Sequence, residues 1–307
     1  MKWAWSKLGL VFAPSGEHAW ARSHAYIPTC LQLDEERVRV YCALLDTSRV
    51  GRLGFVDVAA ADPRRILGVS DSPCLDIGEA GTFDDSGVSP VCIVRNRGRL
   101  LLYYVGWQLG VRVRYHLLTG LAISDDGGAS FRRMSRVPVL ERSDAELFVR
   151  SAPHVMRDDE RWRMWYIAGS RWIRVDERDV PTYDVRYMES ADGVGWPAEG
   201  RVCIEPRSPD EYGFGRPFVM RDGAQYRMWY SIRSRSRGYR LGYAESTDGL
   251  NWTRQDESVG IDVSPGGWDS EMIGMACIHQ TRYGTYLFYN GNNYGETGFG
   301  VARLEQR

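Results

Sequence analysis

The chain has 307 residues, 43% of them hydrophobic, 26% charged and 12% aromatic, with a net charge of −1. That composition supplies ample apolar material for a folded core and excludes a disordered or collagen-like chain. The near-zero charge gives no global pull toward nucleic acid or an anionic membrane, and no apolar run is long enough to span one.

Lys2 and Lys7 are the only lysines among 39 basic residues, so most arginines read as compositional bias rather than as a recognition surface. The opening "MKWAWSKLGLVFAPSG" is too interrupted for the apolar stretch of a signal peptide, and the expected location is the cytoplasm. The six cysteines form no CxxC, so neither a zinc site nor a disulfide framework is signalled; no metal and no cofactor is expected.

Along the chain, residues 1–13 read as one strand. Next comes "IPTCLQLDEERVRVYC" (27–42), an apolar strand, a polar turn and a second strand of alternating large residues. The same unit returns as "SPVCIVRNRGRLLLYY" (89–104), "APHVMRDDERWRMWY" (152–166), "RPFVMRDGAQYRMWY" (216–230) and "MACIHQTRYGTYLFY" (275–289). Anchors at Pro28, Pro90, Pro153, Pro217 and Met275 give steps of 62, 63, 64 and 58. Cys30, Cys92 and Cys277 each fall two positions past an anchor, where other copies carry Val155 and Val219, and read as small buried hydrophobes.

Each unit continues through a third strand ("VRYMES" 185–190, "RLGYAES" 240–246), an acidic turn and a fourth strand. Four antiparallel strands repeated radially make a propeller blade. The predicted fold is therefore all-β: a five-bladed β-propeller of four-stranded antiparallel blades, one domain over residues 1–307. The fifth copy stops after its third strand ("GFGVARL" 298–304), so the N-terminal strand is expected to complete blade five and close the ring, leaving no open edge.

The acidic turns are "SDDGGASF" (124–131), "SADGVGW" (190–196) and "STDGLNW" (246–252). Asp126, Asp192 and Asp248 can accept backbone N–H bonds inside their own turns, while the glycines permit positive φ. The first turn resembles the Asp box of sialidase-like propellers. These aspartates read as scaffold.

The opposite face carries the approaches to the innermost strands, which converge on the axis and make the default site. Those approaches hold Asp84 and Asp85 in unit two, Glu146 and Arg150 in unit three, Arg216 in unit four, and Asp269 and Glu271 in unit five. Unit one offers His24 and Glu17. Two carboxylates with separated pKa values could serve as acid and base, which makes Asp84, Asp85, Glu146, Asp269 and Glu271 the catalytic candidates. Arg150 and Arg216 could clamp a carboxylate or phosphate, or equally pair with Glu146 and Glu211. Trp107, Trp172 and Tyr212 could stack on a sugar ring. His24, His154, Asn290 and Asn292 could bond its hydroxyls, although Asn is also an ordinary turn residue. His279, inside an inner strand, could face the axis.

"RDGAQYRMWYS", "GYAESTDGLNW" and "GVSP" resemble the five-bladed glycosidase superfamily of arabinanases, xylosidases, invertases and mannoside phosphorylases, over the whole chain. The resemblance implies a base or nucleophile in blade one, a modulating Asp in blade two and an acid Glu in blade three. Asp84 or Asp85 suits the second role. Glu146 is the nearest candidate for the third, but Ser151 stands where the family acid is expected, and blade one offers His24 instead of Asp.

The implied function is a glycoside hydrolase-like enzyme using paired carboxylates in the axial pocket. The alternatives are a non-hydrolytic carbohydrate-binding protein, and a biosynthetic enzyme or phosphorylase acting on a sugar-containing metabolite. The expected partner is a carbohydrate or glycosylated small molecule, anionic ones included.

Overall fold

The computed structural model describes residues 2–158, 161–169, 171–175 and 177–306. After β1 (Ala4–Phe12), the first meander is β2 (Ser23–Gln32), β3 (Arg37–Leu45), β4 (Gly51–Ala59) and β5 (Ile66–Val69). The second is β6 (Val88–Asn96), β7 (Arg99–Leu109), β8 (Tyr115–Ser124) and β9 (Arg132–Arg133). In the third, β10 (Val149–Asp158) and β11 (Arg161–Gly169) are followed by a side hairpin, β12 (Trp172–Val175) and β13 (Arg178–Pro181), then β14 (Asp184–Ser190) and β15 (Arg201–Ile204). The fourth is β16 (Glu211–Asp222), β17 (Gln225–Ser234), β18 (Arg240–Ser246) and β19 (Thr253–Arg254). The last is β20 (Gly274–Thr281), β21 (Gly284–Asn290) and β22 (Phe299–Gln306).

Strand order in the final sheet is β1-β22-β21-β20, so the N-terminal strand supplies its outer edge. The second and third meanders share one eight-stranded sheet, joined among the described residues by the parallel pairing of Val149 with Leu117 and Arg150 with Leu118. Among the described residues no helix is long and apolar enough to cross a membrane.

Alternation along each second strand explains how the sheets stack. Tyr41, Tyr103, Trp165, Trp229 and Phe288 occupy one register position and are fully buried between neighbouring meanders. Burying a ring of this size stabilises by on the order of 3 kcal/mol. Their partners on the inner strands are Thr29, Cys92, His154, Phe218 and Cys277. Cys92 and Cys277 are thus equivalent to Thr29, one place before the position held by Cys30, Val155 and Val219. Every inner strand carries the same one-residue bulge, but Pro28, Pro153 and Pro217 hold its second position whereas Pro90 and Met275 hold its first, so those two sequence anchors are one residue out of step. At the bulge Ile27, Ala152, Arg216 and Met275 take positive φ of 56°, 50°, 25° and 58°.

The acidic turns close on themselves. Asp192 Oδ1 accepts from Val194 N at 2.8 Å and Gly195 N at 2.9 Å, and Asp248 Oδ1 accepts from Leu250 N and Asn251 N, both at 2.8 Å. Gly193 and Gly249 both have φ of +76°, which an L side chain resists. These turns are also latches. Tyr41 Oη donates to Gly128 O at 2.7 Å, Tyr103 Oη to Gly193 O at 2.7 Å and Trp165 Nε1 to Gly249 O at 2.8 Å. Each second-strand aromatic thereby bonds the turn of the next meander. The final sheet has no such turn because the chain's two ends meet there. Trp229 Nε1 accordingly has no partner among the described residues, and Trp3 packs edge-on against its ring at 4.9 Å.

Candidate functional site

The residue after each of those aromatics is a tyrosine in four meanders, and it accounts for most of the candidate carboxylates. Tyr104 Oη donates to Asp84 Oδ2 at 2.9 Å, and Arg133 Nε reaches the same oxygen at 2.7 Å. Tyr166 Oη donates to Glu146 Oε1 at 2.7 Å, where Arg186 also binds at 3.1 Å, while Arg150 holds Oε2. Tyr230 Oη donates to Asp256 Oδ1 at 2.6 Å, beside Arg254. Tyr289 Oη donates to Asp269 Oδ2 at 2.9 Å, with Lys7 Nζ at 2.7 Å. Burial pushes Tyr104, Tyr166 and Tyr289 well above the ordinary phenol range, so these hydroxyls stay protonated and donate. Asp84, Glu146 and Asp269 are 1%, 0% and 2% exposed. One motif repeats: a carboxylate, buried in three of the four and partly exposed at Asp256, held by its own meander's tyrosine and by a cation from that meander's outer strands or its approach.

The remaining candidates divide. Asp85 closes its own turn, accepting from Gly81 N at 2.9 Å and Ser86 Oγ at 2.8 Å. Arg150, besides Glu146, donates to Glu141 O and Pro197 O. Arg216 lies on the axis, away from Arg150, with Pro28 O, Met275 O, Thr29 Oγ1 and Val91 O as acceptors. Asn290 Oδ1 accepts from Ile27 N at 2.9 Å, joining the fifth meander to the first. His154 packs on Phe218 with ring centroids 4.8 Å apart, and His279 Nε2 meets Gln32 Oε1 at 2.7 Å. Among the described residues no three His, Cys, Asp or Glu side chains are grouped to hold a metal.

Tyr212, Glu271 and Asn292 do meet. They line a cavity of about 610 Å³ between the fourth and fifth meanders, at the entrances of β16 and β20 and the exits of β17 and β21. Asn292 is a pillar of its wall, its Oδ1 accepting from Glu271 N at 2.8 Å and Met272 N at 3.2 Å. The turn after β21 forms a rim, with Asn293 and Tyr294 at φ of 47° and 59°. His24 lies beside this rim; burial lowers its pKa, while the nearby Glu296 carboxylate opposes the shift.

Arg233, Arg237, Tyr239, Tyr294 and Glu296 complete the lining and were not singled out by sequence. Arg233 and Arg237 are hidden in the arginine background, and Glu296 in a turn dominated by asparagine and glycine. Trp107 and Trp172 are not among the residues that line this cavity; they flank Tyr115 in an aromatic cluster of the second and third meanders, Trp107 against Tyr115 at 5.3 Å, Tyr115 against Trp172 at 5.7 Å, and Tyr115 Oη within 3.2 Å of Tyr183 Oη. Ser151, where the family acid is expected, is fully buried and its Oγ has no partner among the described residues.

The sequence is 41% identical over 302 residues to the uncharacterized protein Rv1502 of Mycobacterium tuberculosis, covering 98% of this chain and 99% of that one. No protein-family model matches it. Among solved structures, a glycosyl hydrolase from Bacteroides ovatus superposes with a TM-score of 0.75 at 14% identity, covering 99% of this chain and 94% of the other. A thermostable family-43 glycoside hydrolase gives 0.68 at 16% identity, covering 94% and 90%. BT0996, solved as an RGII complex, gives 0.71 at 19% identity, covering 100% and 93%. The fold is that of the propeller glycoside hydrolases.

Proposed function

Since this chain belongs to one family with the uncharacterized mycobacterial protein and carries a glycoside hydrolase fold, we propose that it acts on a glycosidic bond of a ligand seated in the cavity between the fourth and fifth meanders. We take the five meanders as the blades of a single five-bladed propeller closed by β1. The six free thiols suit a reducing compartment such as the cytoplasm.

The observation that carries the reading is the cavity's lining: Glu271 and Glu296 are its carboxylates, and the rings of Tyr212, Tyr239 and Tyr294 offer stacking surface. One carboxyl group would protonate the leaving oxygen and the other would activate water, or phosphate would attack in its place. Asn292, already fixed by its backbone contacts, keeps Glu271 in position. Asp84, Glu146 and Asp269 are assigned to the frame, because their oxygens are held in buried bonds. A second reading, sugar binding without cleavage, is favoured by Ser151 at the position of the family acid.

A proton NMR time course with a panel of pyranosides, furanosides and acidic sugars, with and without phosphate, separates the two. New anomeric signals that vanish in Glu271→Gln or Glu296→Gln support the enzyme. Line broadening without turnover establishes the binding protein, and turnover unchanged in both variants removes these two residues from catalysis.

A further inference from the structure

Buried arginines in this protein are consistently satisfied. Arg150 pairs with Glu146, Arg254 with Glu211 and Asp256, and Arg216 with four oxygen acceptors. Arg233 is the exception. It is 5% exposed, yet among the described residues no carboxylate pairs with it, Nη1 donates to Pro181 O at 3.1 Å, and Nε has no partner. Its guanidinium lies 4.6 Å from the Tyr212 ring centroid, 4.8 Å from Tyr183 and 5.9 Å from Tyr239. Cation–π contacts offset part of the desolvation of a charge but leave its in-plane N–H donors unused.

Arg233 also lines the cavity. We propose that it is an anion-recognition site and that the ligand is a sugar bearing a carboxylate or phosphate group, which docks on the Arg233 guanidinium and the surrounding tyrosine hydroxyls. This deepens the functional reading above and rests on the same cavity. A guanidinium presents a planar fork that matches both oxyanions, and a site already desolvated and rigid makes such a bond strong. Burial raises the pKa of Tyr183 and Tyr239 far above neutrality, which keeps both hydroxyls as donors. The cavity is polarised. Arg233 and Arg237 belong to the fourth meander, whereas Glu271 and Glu296 belong to the fifth. An anionic sugar would be oriented by that asymmetry, with its charged group toward β17.

The test is isothermal titration of the full chain with glucuronate, its neutral methyl ester, glucose 1-phosphate and glucose. The expected result is at least tenfold tighter binding of one anion than of its neutral counterpart, with the preferred pair identifying carboxylate or phosphate. Arg233→Met should abolish that preference and Arg233→Lys should restore part of it. If Arg233→Met does not fold, competition on the parent chain decides: inorganic phosphate should weaken binding of the preferred anion severalfold and affect its neutral counterpart far less. Equal binding of charged and neutral probes, a preference that persists in Arg233→Met, or no heat from either anion at millimolar concentration would overturn the site. Cleavage of neutral glycosides without anion preference would sink this inference and leave the glycosidic-bond reading standing. Anion preference with no cleavage of any substrate would do the reverse.

Discussion

His154 packs from its inner strand against the Phe218 ring of the fourth meander, with the Arg216 guanidinium close enough to act on its charge. Burial first, and then that cation, lower its pKa to about 3, and burial alone lowers His279 to about 4. In the unfolded chain both imidazoles protonate below the ordinary value of 6.5, whereas the folded protein refuses the proton until pH nears 4 or 3. The unfolded state therefore binds more protons across that interval, and stability falls as pH drops below 6.5, by at most roughly 1.4 kcal/mol per pH unit for each histidine. Above 6.5 both states are neutral and this contribution is flat. Urea unfolding at steps between pH 7.5 and 4.5 should show the fall, and His154→Gln should flatten it. Parallel curves for variant and parent would mean that other groups set the acid limit. Nearby, the Cys30 S–H and the Arg216 charge lower the pKa of the Cys277 thiol, so one buried cation influences titration on two inner strands.

At the scale of the element, the acidic turn is both a local closure and a latch, and the two roles can be separated. Trp165→Phe removes the bond to Gly249 O while keeping most of the ring, and should cost about 1 kcal/mol beyond the packing change. Trp229→Phe removes a donor that has no acceptor, so it should cost only the packing change. Comparing the two midpoints in urea checks the claim, and equal losses would deny the latch any energetic role. The turns themselves were legible in the sequence because Ser, Asp and Gly spacing is a local code. Register was less so: Pro90 and Met275 occupy a different position of the shared bulge from Pro28, which puts Cys92 and Cys277 one place before Cys30, and only ladder geometry reveals it. Nor could the sequence tell that Asp84 would meet Arg133, or Glu146 meet Arg186, because those cations arrive from other strands of the meander. Of the residues that line the cavity, Tyr212, Glu271 and Asn292 were singled out in the sequence. Arg233 was invisible because nothing local distinguishes an arginine with no carboxylate partner from its many paired neighbours.

Across the whole molecule, one ion pair stands where the chain's two ends meet. β1 contributes Lys7, one of two lysines, and its Nζ reaches Asp269 at 2.7 Å, where Tyr289 already donates. The pair ties an outer strand from the N-terminus to the approach of the last inner strand, across 262 residues of sequence. Asp269 is 2% exposed, and Lys7→Met leaves its charge buried with one hydrogen bond. Breaking one side of such a pair costs about 3 kcal/mol, whereas replacing both sides costs far less. Lys7→Met should therefore lower stability by about that amount, and Lys7→Met with Asp269→Asn should recover most of it, since the amide oxygen can still accept from Tyr289. The exposed Arg64–Asp62 pair is the control, and its loss should leave the unfolding midpoint essentially where the parent has it. Removing residues 2–12 altogether should do more than either substitution, because it leaves the β22 edge unpaired and free to recruit other chains. Light scattering during refolding distinguishes the outcomes: aggregation of the truncated chain but not of Lys7→Met would show that the strand, and not its charge, protects the edge.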